Sequence, residues 1–167
     1  HVFGLATGHG DNYGDTWGDE EARVADAIEK LRALHAKGIT TIVGGNDGGQ
    51  PYPLKDAFDT LAEVQPSINV AYYAGHGDLR SLVMGEDFKR KATPAEVDSM
   101  AKLLQQELDA GALGLSTGLE YDPGIYSDRA EVLALAKVAA AARSRYISHI
   151  RSEDRWFWDA IDEVIAI

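Results

Sequence analysis

Four clusters of polar residues hold the groups that could do chemistry in this sequence: Asn46 with Asp47, His76, Thr117 with Glu120 and Tyr121, and His149 with Arg151. Each follows a run of apolar or β-branched residues. The sequence contains no cysteine, which removes disulfides, thiol nucleophiles and thiolate metal sites together and leaves His and carboxylates as the strong metal ligands available. Each residue taken singly also has a plain reading. Asn-Asp-Gly at 46–48 suits a tight turn that tolerates positive φ. A lone His is more often a satisfied core group than a ligand, and Tyr121, just ahead of Asp-Pro-Gly, can simply cover a loop. The run GGNDGG at 44–49 could cradle a phosphate, but neither the P-loop lysine nor the dinucleotide fingerprint accompanies it.

The elements that must position these residues can be read from periodicity and punctuation. Between Asp19 and Lys37, Val24, Ile28, Leu31 and Leu34 recur at helical spacing, and Gly38 stops that helix. Residues 39–43 predict a buried strand that runs into the glycine-rich loop. A helix opening near Pro53 turns Phe58 and Leu61 inward and ends before Pro66, and residues 69–74 predict the next strand. Thr93, Pro94 and Glu96 form a helix start, with Val97, Met100, Leu104 and Leu108 as the buried stripe and Gly111 as the stop. A strand at 112–117, a loop at 120–126, a helix at 128–142, a strand at 145–150 and a helix from 156 onward complete the pattern. Such alternation predicts an α/β fold with a parallel sheet and ligand groups at the carboxyl ends of its strands. The four polar clusters fall at those ends. Strand ends carry polar residues by chance in any such domain, so the convergence marks a candidate site without naming a reaction.

Sixteen Lys and Arg against 27 Asp and Glu give the 167 residues a net charge of -11. That surface repels phosphate backbones and anionic headgroups, which argues against nucleic acid and membranes as partners. No window approaches the roughly 20 apolar residues of a membrane span. The first residues lack the basic start and apolar run of a signal peptide, so the expected compartment is the cytoplasm.

Three stretches are specific enough to point to a family: NVAYYAGHGDLRSLVMG at 69–85, GALGLSTGLEYDPGIYS at 111–127 and YISHIRSED at 146–154. From Gly44 onward the chain resembles the N-acyl-D-amino-acid deacylases, or D-aminoacylases, of the amidohydrolase superfamily. The resemblance implies a metal-dependent (β/α)8 TIM-type barrel that hydrolyses the amide of N-acyl-D-amino acids, with zinc as the usual metal and one or two divalent ions bound. It makes His149 a metal ligand and sets Asp47 where many members carry a metal-binding Cys in a GNCG turn, which here reads GNDG. A carboxylate can replace a thiolate for a hard or borderline cation. Tyr121 matches a tyrosine of the substrate pocket, where a phenol can hydrogen-bond the amino-acid carboxylate or the developing oxyanion, and is the catalytic candidate. Arg151 and Glu153 match positions that support the site. Arg151 is carried as a substrate-binding residue together with His76, whose GHG at 75–77 would shape the pocket wall.

Residues 1–43 resemble instead the amino-terminal part of a phosphotriesterase-like lactonase, another branch of the same superfamily. On that resemblance His1 is the second His of a metal-binding pair, and His9 is a weaker substitute. The chain offers about five β/α units, whereas a whole barrel takes roughly 200 to 250 residues. Neither the later His nor the catalytic Asp that both families place further downstream is matched. The expectation is therefore a single α/β domain that is a fragment of a larger barrel, with a join between the two resemblances near residues 42–45. Two other readings remain open. One is a lactonase; the other is a non-catalytic α/β domain that binds a ligand or metal and self-associates as a homo-oligomer through open sheet edges.

Overall fold

A computed structural model of the chain describes residues 29–167. His1, His9 and the expected first turns of the leading helix lie outside the described residues. Residues 29–36 are helical (α1), and the helix stops at Gly38, whose φ of +81° suits glycine. Then follow β1 (Thr41–Gly44), α2 (Leu54–Val64), β2 (Asn69–Tyr72), β3 (Ala74–Gly75), α3 (His76–Met84), α4 (Pro94–Asp109), β4 (Gly114–Gly118), α5 (Arg129–Ala141), β5 (Arg145–His149) and α6 (Phe157–Ala166).

All the described strand pairs are parallel. β1 pairs with β2, and β3, β4 and β5 pair in that order. Backbone bonds carry the pairing across the break at Tyr73: its N–H donates to Gly44 O at 3.0 Å, and Leu113 N–H donates to Tyr72 O at 2.8 Å. The strands therefore lie side by side in chain order with their carboxyl ends on one edge, as the alternation predicts. The expected strand at 69–74 is split in two.

The helices cover the sheet through an apolar core that includes Leu54, Ala74, Leu79, Met100, Leu104, Leu115 and Leu135. Helix α4 begins as the sequence suggests. Thr93 Oγ1 accepts the Glu96 N–H, and Glu96 Oε2 accepts the Thr93 N–H at 2.7 Å, so two orphan amides of the first turn are satisfied reciprocally. The Arg90 guanidinium grips the same carboxylate through both Nη atoms, and with Thr93 it holds Glu96 far below the usual glutamate range.

Helix α3 was not expected, because its buried face is interrupted by charge. Leu79 and Met84 turn inward, but so do His76 and Arg80, one helical turn apart. Arg80 is fully buried, and its Nη1 donates to both oxygens of Glu131 on α5 at 2.6 Å. Its Nη2 donates to the carbonyls of Phe88 and Arg90, tying the segment after α3 to the helix. His76 Nε2 lies 2.8 Å from Glu131 Oε1. Burial pushes the Glu131 carboxyl up, but the hydrogen bonds and charges of His76 and Arg80 outweigh it and leave the group below the ordinary glutamate value of 4.5.

A carboxyl depressed in the folded state stabilises fully above its unfolded pKa and loses that contribution as the pH falls through its folded value. Acid titration of folding should therefore show a loss of stability below about pH 4.5 that is absent in Glu131→Gln. At pH 7 the same variant leaves Arg80 buried without its counter-charge and is expected to lose about 3–5 kcal/mol in urea denaturation. An unchanged midpoint would show that the cluster contributes nothing.

Candidate metal and substrate site

The site is built where β1, β4 and β5 end. Beyond β1 the chain turns through Asn46 and Asp47 and is pressed against the end of β4. Gly48 has φ +82°, and a Cβ on it would sit 2.6 Å from Gly118 N. A Cβ on Gly118 would in turn sit 2.5 Å from the Asp47 carbonyl oxygen. Backbone meets backbone here with no room for a side chain, which is the physical reason for glycine at both positions. The Gly48 N–H donates to Ser116 Oγ at 3.2 Å, and the Gly48 carbonyl accepts from Gly77 N–H at 2.8 Å. The turn is thereby fixed to β4 on one side and to the start of α3 on the other.

This arrangement brings Asp47 to His149, 102 positions away in the chain. His149 ends β5 with its side chain 19% exposed, and its Nδ1 lies 3.0 Å from Asp47 Oδ1. Its Nε2 lies 3.1 Å from Glu120 Oε2, 3.4 Å from Glu153 Oε1 and 3.3 Å from the Tyr121 hydroxyl. The Tyr121 ring stands edge-on to the imidazole, with centroids 4.6 Å apart. Below them Thr117 Oγ1 donates to Ser148 Oγ at 2.8 Å, and Leu119 N–H donates to the His149 carbonyl at 3.0 Å, so the ends of β4 and β5 are locked together. The sequence placed Asp47, Glu120, Tyr121 and His149 at strand ends, and the structure brings all four into one cluster. Glu153 joins them from the segment that follows β5.

Among the described residues, no group of three or more His, Asp or Glu is arranged to hold a metal ion. At the imidazole, Asp47 approaches one ring nitrogen, while Glu120 and Glu153 approach the other. Asp47 and His149 nevertheless suit a divalent cation, being one carboxylate and one imidazole nitrogen that converge at hydrogen-bonding distance and remain open to solvent. They are two donors, and a full set needs others.

Two expected substrate residues are engaged elsewhere. His76 is fully buried against Glu131 and is not among the groups that meet at His149. Arg151 makes a two-pronged ion pair with Glu163 on α6, at 2.8 and 2.9 Å, and donates to the Ile125 carbonyl at 3.1 Å. Its charge is committed to holding α6 and the 120–126 loop together.

No family model matches the chain. In sequence and in structure its relatives are amidohydrolases. More narrowly, the relatives matched over 79% of this chain are N-acyl-D-amino-acid deacylases. N-acyl-D-glutamate deacylase of Alcaligenes xylosoxydans xylosoxydans is 37% identical over 154 residues, covering 79% of this chain and 31% of the relative. The crystal structure of N-acyl-D-glutamate deacylase from Bordetella bronchiseptica, complexed with zinc and a phosphonate inhibitor, matches with a TM-score of 0.77 at 37% identity, over 81% of this chain and 33% of that one. A crystal structure of D-aminoacylase matches with a TM-score of 0.75 at 26% identity, over 84% of this chain and 35% of that one. A phosphotriesterase homology protein of Mycobacterium tuberculosis is 51% identical over 43 residues, which is 26% of this chain and 13% of the relative. The chain thus spans about a third of the length of the deacylases it matches.

Replacing Gly118 tests whether the backbone contact sets the Asp47 position. Gly118→Ala forces a methyl against a carbonyl that cannot rotate away, so a loss of about 1–3 kcal/mol is expected in thermal denaturation. A crystal structure of the variant should show Asp47 displaced from His149, and an unmoved carboxylate would refute the constraint.

Proposed function

We propose that this chain is one arc of a metal-dependent (β/α)8 barrel that hydrolyses N-acyl-D-amino acids to a carboxylate and a D-amino acid. The observation that carries this reading is the 3.0 Å approach of Asp47 and His149 at the ends of β1 and β5. Kinship with deacylases and the parallel pairing of β1 with β2 and of β3, β4 and β5 in chain order support it. Asp47 and His149 hold the metal, with zinc as the first candidate and one or two divalent ions as the range. His1, outside the described residues, is a further ligand on the resemblance of residues 1–43. A divalent cation at this place supplies Lewis acidity and a water of lowered pKa.

The chain's own residues do the rest. The Tyr121 phenol, 3.3 Å from His149 Nε2, is placed to donate to an oxyanion forming beside the imidazole. Glu120 and Glu153 accept from the Nε2 side and leave Nδ1 facing Asp47. The substrate is a small molecule, and a net charge of -11 supports the absence of nucleic acid among its partners. The 43-residue likeness to a phosphotriesterase homology protein supports the alternative of lactonase-type ancestry for part of the chain. The join between the two ancestries near 42–45 would fall at the end of β1.

The experiment is metal content and turnover measured together on the full chain. Near-stoichiometric zinc that is lost in Asp47→Ala and His149→Ala is the expected result, with zinc-stimulated cleavage of N-acetyl-D-amino acids and none of the L-forms. Tyr121→Phe should keep its metal and lose about 100-fold in kcat. Zinc binding without any turnover would reduce the reading to shared ancestry. It would favour instead a non-catalytic, self-associating domain, for which Trp158 and Ile165, 76% and 77% exposed on α6, are the supporting observation. Light scattering decides that alternative, because a strict monomer excludes it.

A further inference from the structure

The chain departs from Asp47 through Gly48 and Gly49 to Gln50, which is 8% exposed and has both ends of its side-chain amide in use. Gln50 Oε1 accepts the Gly75 N–H at 2.6 Å, where β3 passes into α3. Gln50 Nε2 donates to Glu107 Oε2 at 2.5 Å, and Glu107 is itself 3% exposed, in the last turns of α4. The Gln50 N–H donates to Asp78 Oδ2 on α3. Glu107 Oε2 also accepts the Leu54 N–H at 2.9 Å, at the start of α2. Helix α2 has no side-chain cap of its own, because Pro53 stands at the cap position. A carboxylate from another helix therefore serves as its cap, in the place where the helix dipole favours negative charge.

A buried glutamine is costly unless every polar atom is satisfied, and here each is. The amide can bridge β3 and α4 in one orientation only, since its oxygen must face the Gly75 N–H and its nitrogen the Glu107 carboxylate. That fixes the backbone three residues from Asp47. Ser116 and Gly77 fix Gly48 itself. From these contacts we infer that Gln50, held by Glu107, is a positioning residue for the Asp47 carboxylate: it sets the reach of the 45–50 turn so that Asp47 meets His149. This rests on the reading that Asp47 and His149 hold the metal.

The test is zinc affinity of the full chain, measured by competition with a chromophoric chelator at a temperature where every variant is folded by circular dichroism. Gln50→Met keeps the volume and loses both amide bonds, so zinc should bind about 10- to 100-fold more weakly. Thr93→Ala, which loosens the start of α4 far from the turn, should lower thermal stability and leave zinc affinity at the parent value. If the parent and Asp47→Asn bind zinc equally, the metal reading itself fails. If Asp47→Asn loses zinc while Gln50→Met binds like the parent, the metal reading stands and the positioning role is overturned. Should Gln50→Met fail to fold, Gln50→Asn, polar but one methylene too short to span both partners, takes its place under the same criteria. Failure of both to fold while Thr93→Ala folds would also overturn the role, since Gln50 would then be required for the fold itself.

Discussion

The close approach of two stretches of main chain, Asn46–Gly48 and the end of β4, is the constraint on which the rest of the site depends. At Gly48 and Gly118 the separation is smaller than any side chain allows, so the turn is seated on the sheet itself instead of on a layer of side chains. Main chain is far less adaptable than a side-chain layer, because its hydrogen bonds and its planar peptides leave few ways to shift by a fraction of an ångström. Asp47 inherits that rigidity, and His149 inherits the complementary rigidity of β5, whose end is bonded to β4 through Thr117, Ser148 and the Leu119 amide. A polar pair 102 positions apart in sequence is thereby held at hydrogen-bonding distance without a dedicated element between them.

Beneath the site, charge is used inside the core. Arg80, Glu131 and His76 form one buried group between α3 and α5, and Glu107 with Gln50 forms another between α4 and the 45–50 turn. Burying these groups has a desolvation cost that apolar residues would not carry, and it is offset only where geometry satisfies the charges. What the polar groups add is direction. An apolar contact between α3 and α5 tolerates sliding, whereas a guanidinium bonded to both oxygens of one carboxylate does not. The start of α3, which abuts Gly48, is fixed by those bonds, so the two constraints are continuous.

The alternation of strands and helices was legible because its signals are local. The Thr93, Pro94 and Glu96 start, the stripe at Met100 and Leu104 and the stop at Gly38 each depend on residues a few positions apart. The strand-end cluster was also legible in outline, since Asp47, Glu120, Tyr121 and His149 follow apolar runs. Helix α3 escaped because its inward face carries His76 and Arg80, whose partner Glu131 lies 51 residues beyond Arg80, so the apolar stripe is broken by a pairing that periodicity cannot see. The same is true of Gln50, whose partner Glu107 lies 57 residues away. His76 and Arg151 are read as substrate-binding from the family resemblance, whereas their partners in the structure, Glu131 and Glu163, lie 55 and 12 positions further along the chain on α5 and α6.

The carboxylate of Glu107 has one further consequence. It accepts from Leu54, at the start of α2, and from Gln50 with the same oxygen. The first turn of α2 and the buried amide of Gln50 therefore share one acceptor, and loosening either strips a bond from the same buried carboxylate. That shared oxygen couples the order at the Leu54 amide to the order of the turn that carries Asp47.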